Sequence, residues 1–259
     1  MILDDIVAKK KLRLAAGKQK ITLEQLRSEA EKKQRTPKSL YSALTKEKRA
    51  AIIAEVKKAS PSRGLIRADF SHLDIARAYL SSDVQAMSVL TEEDFFLGKP
   101  EYLSDISAIS DIPVLRKDFI IDEYQIYEAY LLGADAVLLI AAILDDKTLR
   151  AFSELAHSLG MECLFEAHDE RELERITAAG ARIIGINNRN LHDFSEDIKT
   201  TERLIKYLPP QAASVSESSI KTAQDIEYLE SLGVCGVLIG EQFMRNDDIC
   251  AAVERIRGR

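Results

Sequence analysis

The feature that most constrains this chain is one repeated plan: a helix end, a glycine, then a continuous apolar run. It appears as LLGADAVLLI (131–140), TAAGARIIGI (177–186) and ESLGVCGVLIG (230–240). Strands apolar on both faces belong to a parallel sheet covered by helices. A glycine just past a helix takes the left-handed backbone that ends it. The rest of the chain follows the same plan. Strand-like runs fall at 51–57, 84–90, 112–117, 134–140, 161–166, 181–187, 212–217 and 234–240. Helical patterns fall at 70–82, 101–109, 122–132, 145–159, 169–179, 197–208, 221–232 and 247–257.

Eight such units are the count that closes a (β/α)8 TIM barrel. The alternative, an open doubly wound sheet, usually carries a glycine-rich dinucleotide loop after its first strand, and KKASPSRG is not one. Residues 1–48 are rich in Lys and Glu and read as helices. Their apolar stripes are Ile2, Leu3, Ile6, Val7 and then Ile21, Leu23, Leu26. The expectation is one barrel domain over 1–259 with a helical N-terminal extension packed on it.

Composition narrows the function classes. A net charge of −6 argues against general nucleic-acid binding, which needs a basic face. Cys163, Cys235 and Cys250 are odd in number and widely spaced, which suits neither a disulfide framework nor a zinc site. The opening MILDDIVAKKKLRL lacks the apolar core of a signal peptide, and no later run approaches membrane-span length. A cytoplasmic protein with no membrane association is expected.

Barrel chemistry sits at the C-terminal ends of the strands. Glu55 and Lys57 lie two apart in AIIAEVKKASPS, so they share a face with Ile53. On that stretch alone they read equally as an edge salt bridge. Further polar strand ends are Lys117, Glu166, Asn187, Ser216 to Ser218 and Gly240. Two lysines and two glutamates converging on one mouth are harder to read as solvated ends. Lys117 shares parity with Leu115, and Glu166 with Leu164. The stretches SESS (216–219) and LIGE (238–241) suit phosphate through backbone amides, or ordinary turn and capping chemistry. Their adjacency in a barrel favours phosphate, with Ser60 completing the site across the closing seam. His72, His157, His168 and His192 show no metal spacing and read as surface residues. Cys163 reads as packing, Arg116 as pairing outside the sheet, and the lysines of 9–20 as a solvated face.

The stretches AEVKKASPSRG, LTEEDFFLGKPEYL, PVLRKDFIIDEYQIYEA, LFEAHDERELER, GINNRNL, SESSI and GVLIGEQFMR resemble indole-3-glycerol-phosphate synthase, in the same order and over nearly the whole chain. The opening ILDDIVAKK also resembles that family's N-terminal extension. The resemblance implies conversion of 1-(2-carboxyphenylamino)-1-deoxyribulose 5-phosphate to indole-3-glycerol phosphate, carbon dioxide and water, with no cofactor and no metal. It implies Glu55, Lys57, Lys117 and Glu166 as catalytic, supported by Asn187, Glu217 and Ser218. Phosphate would lie on Ser60, Ser218, Ser219, Gly240 and Glu241, with Arg189 reaching the substrate's polar groups. Pro61, Phe96, Phe119, Leu138, Ile140, Leu191 and Ile239 would wall the aromatic ring. The partner is then a phosphorylated small molecule, and a monomer is expected. A confined mouth is expected to lower the lysine pKa and sharpen it as an acid. The sister-pathway phosphoribosylanthranilate isomerase or a non-catalytic phosphosugar-binding barrel would share the fold, but neither needs this lysine and glutamate set. Two departures stand out: Ser219 replaces a glycine common in the family, and the chain has no Trp.

Overall fold

Each βα unit read from the sequence forms, and the computed structural model describes residues 2–190 and 194–258. The chain opens with helices α1 (Ile2–Lys20), α2 (Leu23–Lys32) and α3 (Leu40–Thr45). Strand β1 (Ala51–Val56) is followed by a small antiparallel hairpin, β2 (Ala59–Ser60) with β3 (Gly64–Leu65), absent from the sequence reading. Then come α4 (His72–Leu80), β4 (Ala86–Leu90), α5 (Pro100–Ile109), β5 (Val114–Lys117), α6 (Glu123–Leu132) and β6 (Ala136–Ile140). The second half runs α7 (Asp146–Ser158), β7 (Glu162–Ala167), α8 (Glu170–Ala178), β8 (Ile183–Asn187) and α9 (Lys199–Leu204). It ends with β9 (Ala213–Glu217), α10 (Ala223–Ser231), β10 (Gly236–Ile239), the single turn α11 (Glu241–Met244) and α12 (Ile249–Ile256).

The strands close in the order β1-β10-β9-β8-β7-β6-β5-β4, every pair parallel. Ala51 faces Gly236 across the seam, and Ile53 faces Leu238. Alternation along the strands separates two cores. Ile53, Leu115, Leu164, Val215 and Leu238 fill the barrel interior. Ile52, Val56, Cys163 and Phe165 pack outward against the helices. The parity argument therefore holds: Glu55, Lys117 and Glu166 follow interior residues, and Cys163 is packing. Arg116 points outward to Asp118 at 3.2 Å and Glu128 at 2.6 Å.

The N-terminal helices reach both ends of the barrel. Leu40 and Leu44 of α3 are fully buried in the interior cluster, under the first residues of β1 and β10. A side chain at Gly236 would collide with Leu44. Burying each leucine is worth about 1.5–3 kcal/mol. At the opposite end, α1 lies across the loops after β4 and β5. Arg13 donates to Asp94 at 2.9 Å and pairs with Glu93 at 2.8 Å, and Lys18 donates to Asp122 at 2.7 Å. Lys10 does not belong to a solvated face. It is 5% exposed and pairs at 2.7 Å with the buried Asp118. Leu26 of α2 is buried, whereas Ile21 is 42% exposed and contributes little to the stripe expected of it.

Candidate active site

The C-terminal strand ends form one cavity, and every expected site residue lines it except Leu191, which lies outside the described residues. Its floor is ionic. Lys57 Nζ sits 2.6 Å from Glu55 Oε2. Lys117 Nζ lies between Glu166 Oε2 at 2.9 Å and Glu217 Oε2 at 2.6 Å. Asn187 Nδ2 donates to Glu166 Oε1 at 3.2 Å, and Asn187 Oδ1 accepts the Arg189 amide at 3.0 Å. These groups come from β1, β5, β7, β8 and β9, so closing the barrel is what brings them together.

Burial and charge compete at this floor. Burial pulls the Lys117 ammonium down, but Glu166, Glu217 and Glu55 outweigh it and hold it above the ordinary lysine range. The expected lowering is therefore reversed in the free site, because three carboxylates surround one ammonium. Burial pushes the Glu217 carboxyl up to about 7, opposed by Lys117 and reinforced by Glu166. Glu166 suffers the same burial, yet Lys117, His168 and Asn187 hold it down to about 2. Burial thus raises the proton affinity of one carboxylate sharing Lys117, while its charged and hydrogen-bonding neighbours lower that of the other.

Two glycines make room for these carboxylates. A side chain at Gly185 of β8 would run into Glu217, and one at Gly240 would run into Glu55. Glycine inside a strand pattern is a signal of close approach, and Gly185 was readable on that ground.

The remaining walls divide by chemistry. Phe96 and Phe119 stand with ring centroids 6.0 Å apart, beside Leu138, Ile140, Pro61 and Ile239. Buried Glu92 fixes the Phe96 loop by accepting the amides of Asp94, Phe95 and Phe96 at 3.1, 2.7 and 3.0 Å. Ile2, Leu3 and Ile6 of α1 add an apolar cover that sequence reading placed only on a packing stripe. On the polar side, Ser218 and Ser219 hold consecutive left-handed conformations with φ of 66° and 64°. Asn188, missed by the sequence reading, pins this turn by donating to the Ser218 carbonyl at 3.2 Å and to Ser216 Oγ at 2.9 Å. Ser60, Gly240 and Glu241 face the same side. Arg189 donates to Ser62 Oγ at 3.0 Å and pairs with Glu196, so it ties the β8 loop to the β2–β3 hairpin.

Among the histidines, His72 Nε2 donates to Asp105 Oδ2 at 2.8 Å, outside the barrel mouth. His157 lies on the outer helix α7, and His192 lies outside the described residues. His168 overturns its surface reading: it is 17% exposed and stands 3.4 Å from Glu166.

Comparison with known proteins agrees with this geometry. A family profile described as indole-3-glycerol phosphate synthase matches residues 3–256. The indole-3-glycerol phosphate synthase of Acetivibrio thermocellus is 50% identical over 258 residues, 99% of each chain. That of Clostridium acetobutylicum is 52% identical over 96% of this chain and 94% of its own. Among solved structures, 3-hexulose-6-phosphate synthase from Salmonella typhimurium has a TM-score of 0.64 at 17% identity, covering 80% of this chain and 97% of its own. KGPDC from Streptococcus mutans reaches 0.61, at 11% identity over 81% of this chain and 96% of its own. At those identities, both support the barrel fold alone. With a match from one end to the other at about half identity, the chain belongs to the indole-3-glycerol phosphate synthase family.

Proposed function

We propose that the chain closes the ring of 1-(2-carboxyphenylamino)-1-deoxyribulose 5-phosphate, expels carbon dioxide and water, and releases indole-3-glycerol phosphate by lysine and glutamate acid–base catalysis. The observation that carries this reading is Lys117 held at 2.9 and 2.6 Å between Glu166 and Glu217 at the floor of a half-apolar, half-polar cavity. Ring closure builds a carbon–carbon bond to a ketone carbon, whose oxygen must gain a proton. Lys117 supplies it. Burial raises the proton affinity of Glu217, and its protonation removes one of the carboxylates that hold this ammonium, so the lysine becomes a better acid as Glu217 loads.

Decarboxylation then restores the aromatic ring. Dehydration needs an acid at the departing hydroxyl and a base for the ring nitrogen's proton. Lys57, oriented by Glu55, is the acid, and the ionised Glu166 is the base. Asn187 binds a substrate hydroxyl. The phosphate lies on Ser60, the amides of Ser218 and Ser219, and Gly240–Glu241. Arg189 reaches the substrate's polar groups, and Phe96, Phe119, Leu138 and Ile140 hold the carboxyphenyl ring.

The same proposal has residues 1–259 act as one barrel domain, as a cytoplasmic monomer. In support, α1 contributes Ile2, Leu3 and Ile6 to the cavity. No described helix is long and apolar enough to cross a membrane. The test is product fluorescence. The chain has no Trp, so indole emission on adding the substrate rises from a low background. Wild type should produce it, and Lys117→Ala should reduce turnover by orders of magnitude with substrate binding still measurable. Well-folded wild type giving no indole signal refutes the assignment, and near-normal turnover in the variant removes Lys117 from the chemistry.

A further inference from the structure

His168 follows β7 by one residue and points back along the same face as Glu166. Its surroundings are carboxylates on both sides. Nδ1 stands 3.2 Å from Glu172 Oε2 of α8, an oxygen that also accepts the His168 amide at 2.8 Å. Nε2 is buried and stands 3.4 Å from Glu166 Oε1, without forming a hydrogen bond in the free site. A neutral imidazole carries one N–H and one bare lone pair. If Nδ1 serves Glu172, that lone pair is pressed against Glu166; if Nε2 serves Glu166, it is pressed against Glu172. Only a ring protonated at both nitrogens satisfies both neighbours.

We infer that His168 is a positioning residue for the reaction, an imidazolium clamped between Glu172 and Glu166 that aims Glu166 and keeps it ionised as a base. This deepens the proposed function and rests on Glu166 being that base. The geometry explains the orientation of Glu166: one oxygen goes to Lys117, while the other is shared by Asn187 and the imidazole. The charged groups facing the ring are Glu172 from α8, Glu166 from β7 and, farther off, Glu217 from β9, with Lys117 of β5 lying between the last two. Burial lowers the ring's proton affinity, but these three carboxylates raise it above the ordinary histidine value. Two contacts readable in the sequence build the clamp: the two-residue step from 166 to 168 on one strand face, and the four-residue step from 168 to 172 into a helix.

The test combines a direct reading of the ring with kinetics. In protein labelled with 15N-histidine, His168 should show both ring nitrogens protonated at pH 7, and Glu172→Gln should lower its titration midpoint. In His168→Gln, which keeps an amide donor without the charge, kcat should fall about ten-fold with KM nearly unchanged, the scale of about one pKa unit of lost charge stabilisation. The acid limb of kcat against pH should move up by about one unit, because an opposite charge at this range lowers a carboxyl by about 1–3 units. Glu172→Gln, which keeps the oxygen that accepts the His168 amide, should move the limb in the same direction by less. A neutral ring at pH 7, or an unmoved acid limb in both variants, overturns the inference. Glu166→Gln separates the two readings. Lost turnover there beside an unmoved His168→Gln profile overturns the role of His168 alone. Full turnover in Glu166→Gln overturns the base assignment beneath it.

Discussion

Replacing Ser219 by glycine should make the protein more stable and a poorer binder of its substrate. Ser219 holds φ 64°, and a left-handed backbone costs a residue with a side chain about 1–2 kcal/mol. Glycine removes that strain but gives back about 0.5–1 kcal/mol through the freedom of the unfolded chain. Ser219 Oγ is also buried without a hydrogen-bond partner, a loss of roughly 1–3 kcal/mol that glycine abolishes. The sum favours Ser219→Gly by about 2 kcal/mol, or roughly 4–8 °C in Tm for a chain of this size. In the bound state the balance reverses. If that hydroxyl finds its partner on the substrate phosphate, the bond is worth about 1.5–3 kcal/mol, so KM should rise about ten-fold or more at constant kcat. Thermal melts of the free protein and indole-fluorescence kinetics measure the two halves separately. A lower Tm refutes the strain argument. A higher Tm with unchanged KM refutes contact between the hydroxyl and the phosphate.

Three further perturbations test the supports of the site. Lys10→Met strips Asp118 of one buried partner while Arg116 remains, so unfolding should cost about 3 kcal/mol less, the low end for a broken buried pair, as read from denaturant melts. Gly185→Ala pushes the Glu217 carboxylate off Lys117 without touching the substrate, so kcat should drop about 10²-fold, the scale of a 1 Å misplacement, and an unchanged kcat would show the carboxylate has room to move. Glu217→Gln should flatten the dependence of Tm on pH between about 4.5 and 7. The folded pKa of Glu217 is raised, so its contribution is complete below 4.5 and is lost as pH rises through about 7. Glu166 acts in the opposite sense and loses its contribution only as pH falls from 4.5 towards about 2. A Glu217→Gln curve parallel to wild type would refute the assignment of the neutral titration to Glu217.

The barrel was legible because its signals are local and periodic. The glycines at 133, 160, 180 and 233 do take positive φ, and each precedes its strand by a few residues. Strand parity sorted Glu55, Lys117 and Glu166 from Arg116 and Cys163 before any contact was known. What escaped depended on partners distant in the chain. Nothing distinguishes Lys10 from its neighbouring lysines until Asp118 stands beside it. The β2–β3 hairpin is two residues a side, too short for any period to register. His168 is a different case. The reasoning that paired Glu55 with Lys57 applies equally to Glu166 and His168, and a histidine that looked like a loop residue was readable as the neighbour of a strand-end carboxylate in the barrel mouth. The sign of the Lys117 shift needed distances, because burial and three carboxylates pull in opposite directions.

Charge balance joins these observations. The floor holds Glu55, Glu166 and Glu217 against Lys57 and Lys117, three potential anions against two cations. The proposed substrate brings a carboxylate and a phosphate into that excess of negative charge. Anions entering a buried site raise the proton affinity of its carboxyls, and Glu217, already pushed up to about 7, is the one placed to respond. The reaction itself takes up a proton: a carboxylate leaves as neutral carbon dioxide and a hydroxyl leaves as water, so the organic product carries one negative charge fewer. A carboxyl whose proton affinity burial raises, 2.6 Å from Lys117, is placed to meet that demand from within the site. In the proposed reaction, the imidazolium on the other side keeps Glu166 ionised and ready to accept a proton. The two carboxylates that share Lys117 are thus set apart by their other neighbours, and in the proposed reaction one holds a proton and the other takes it.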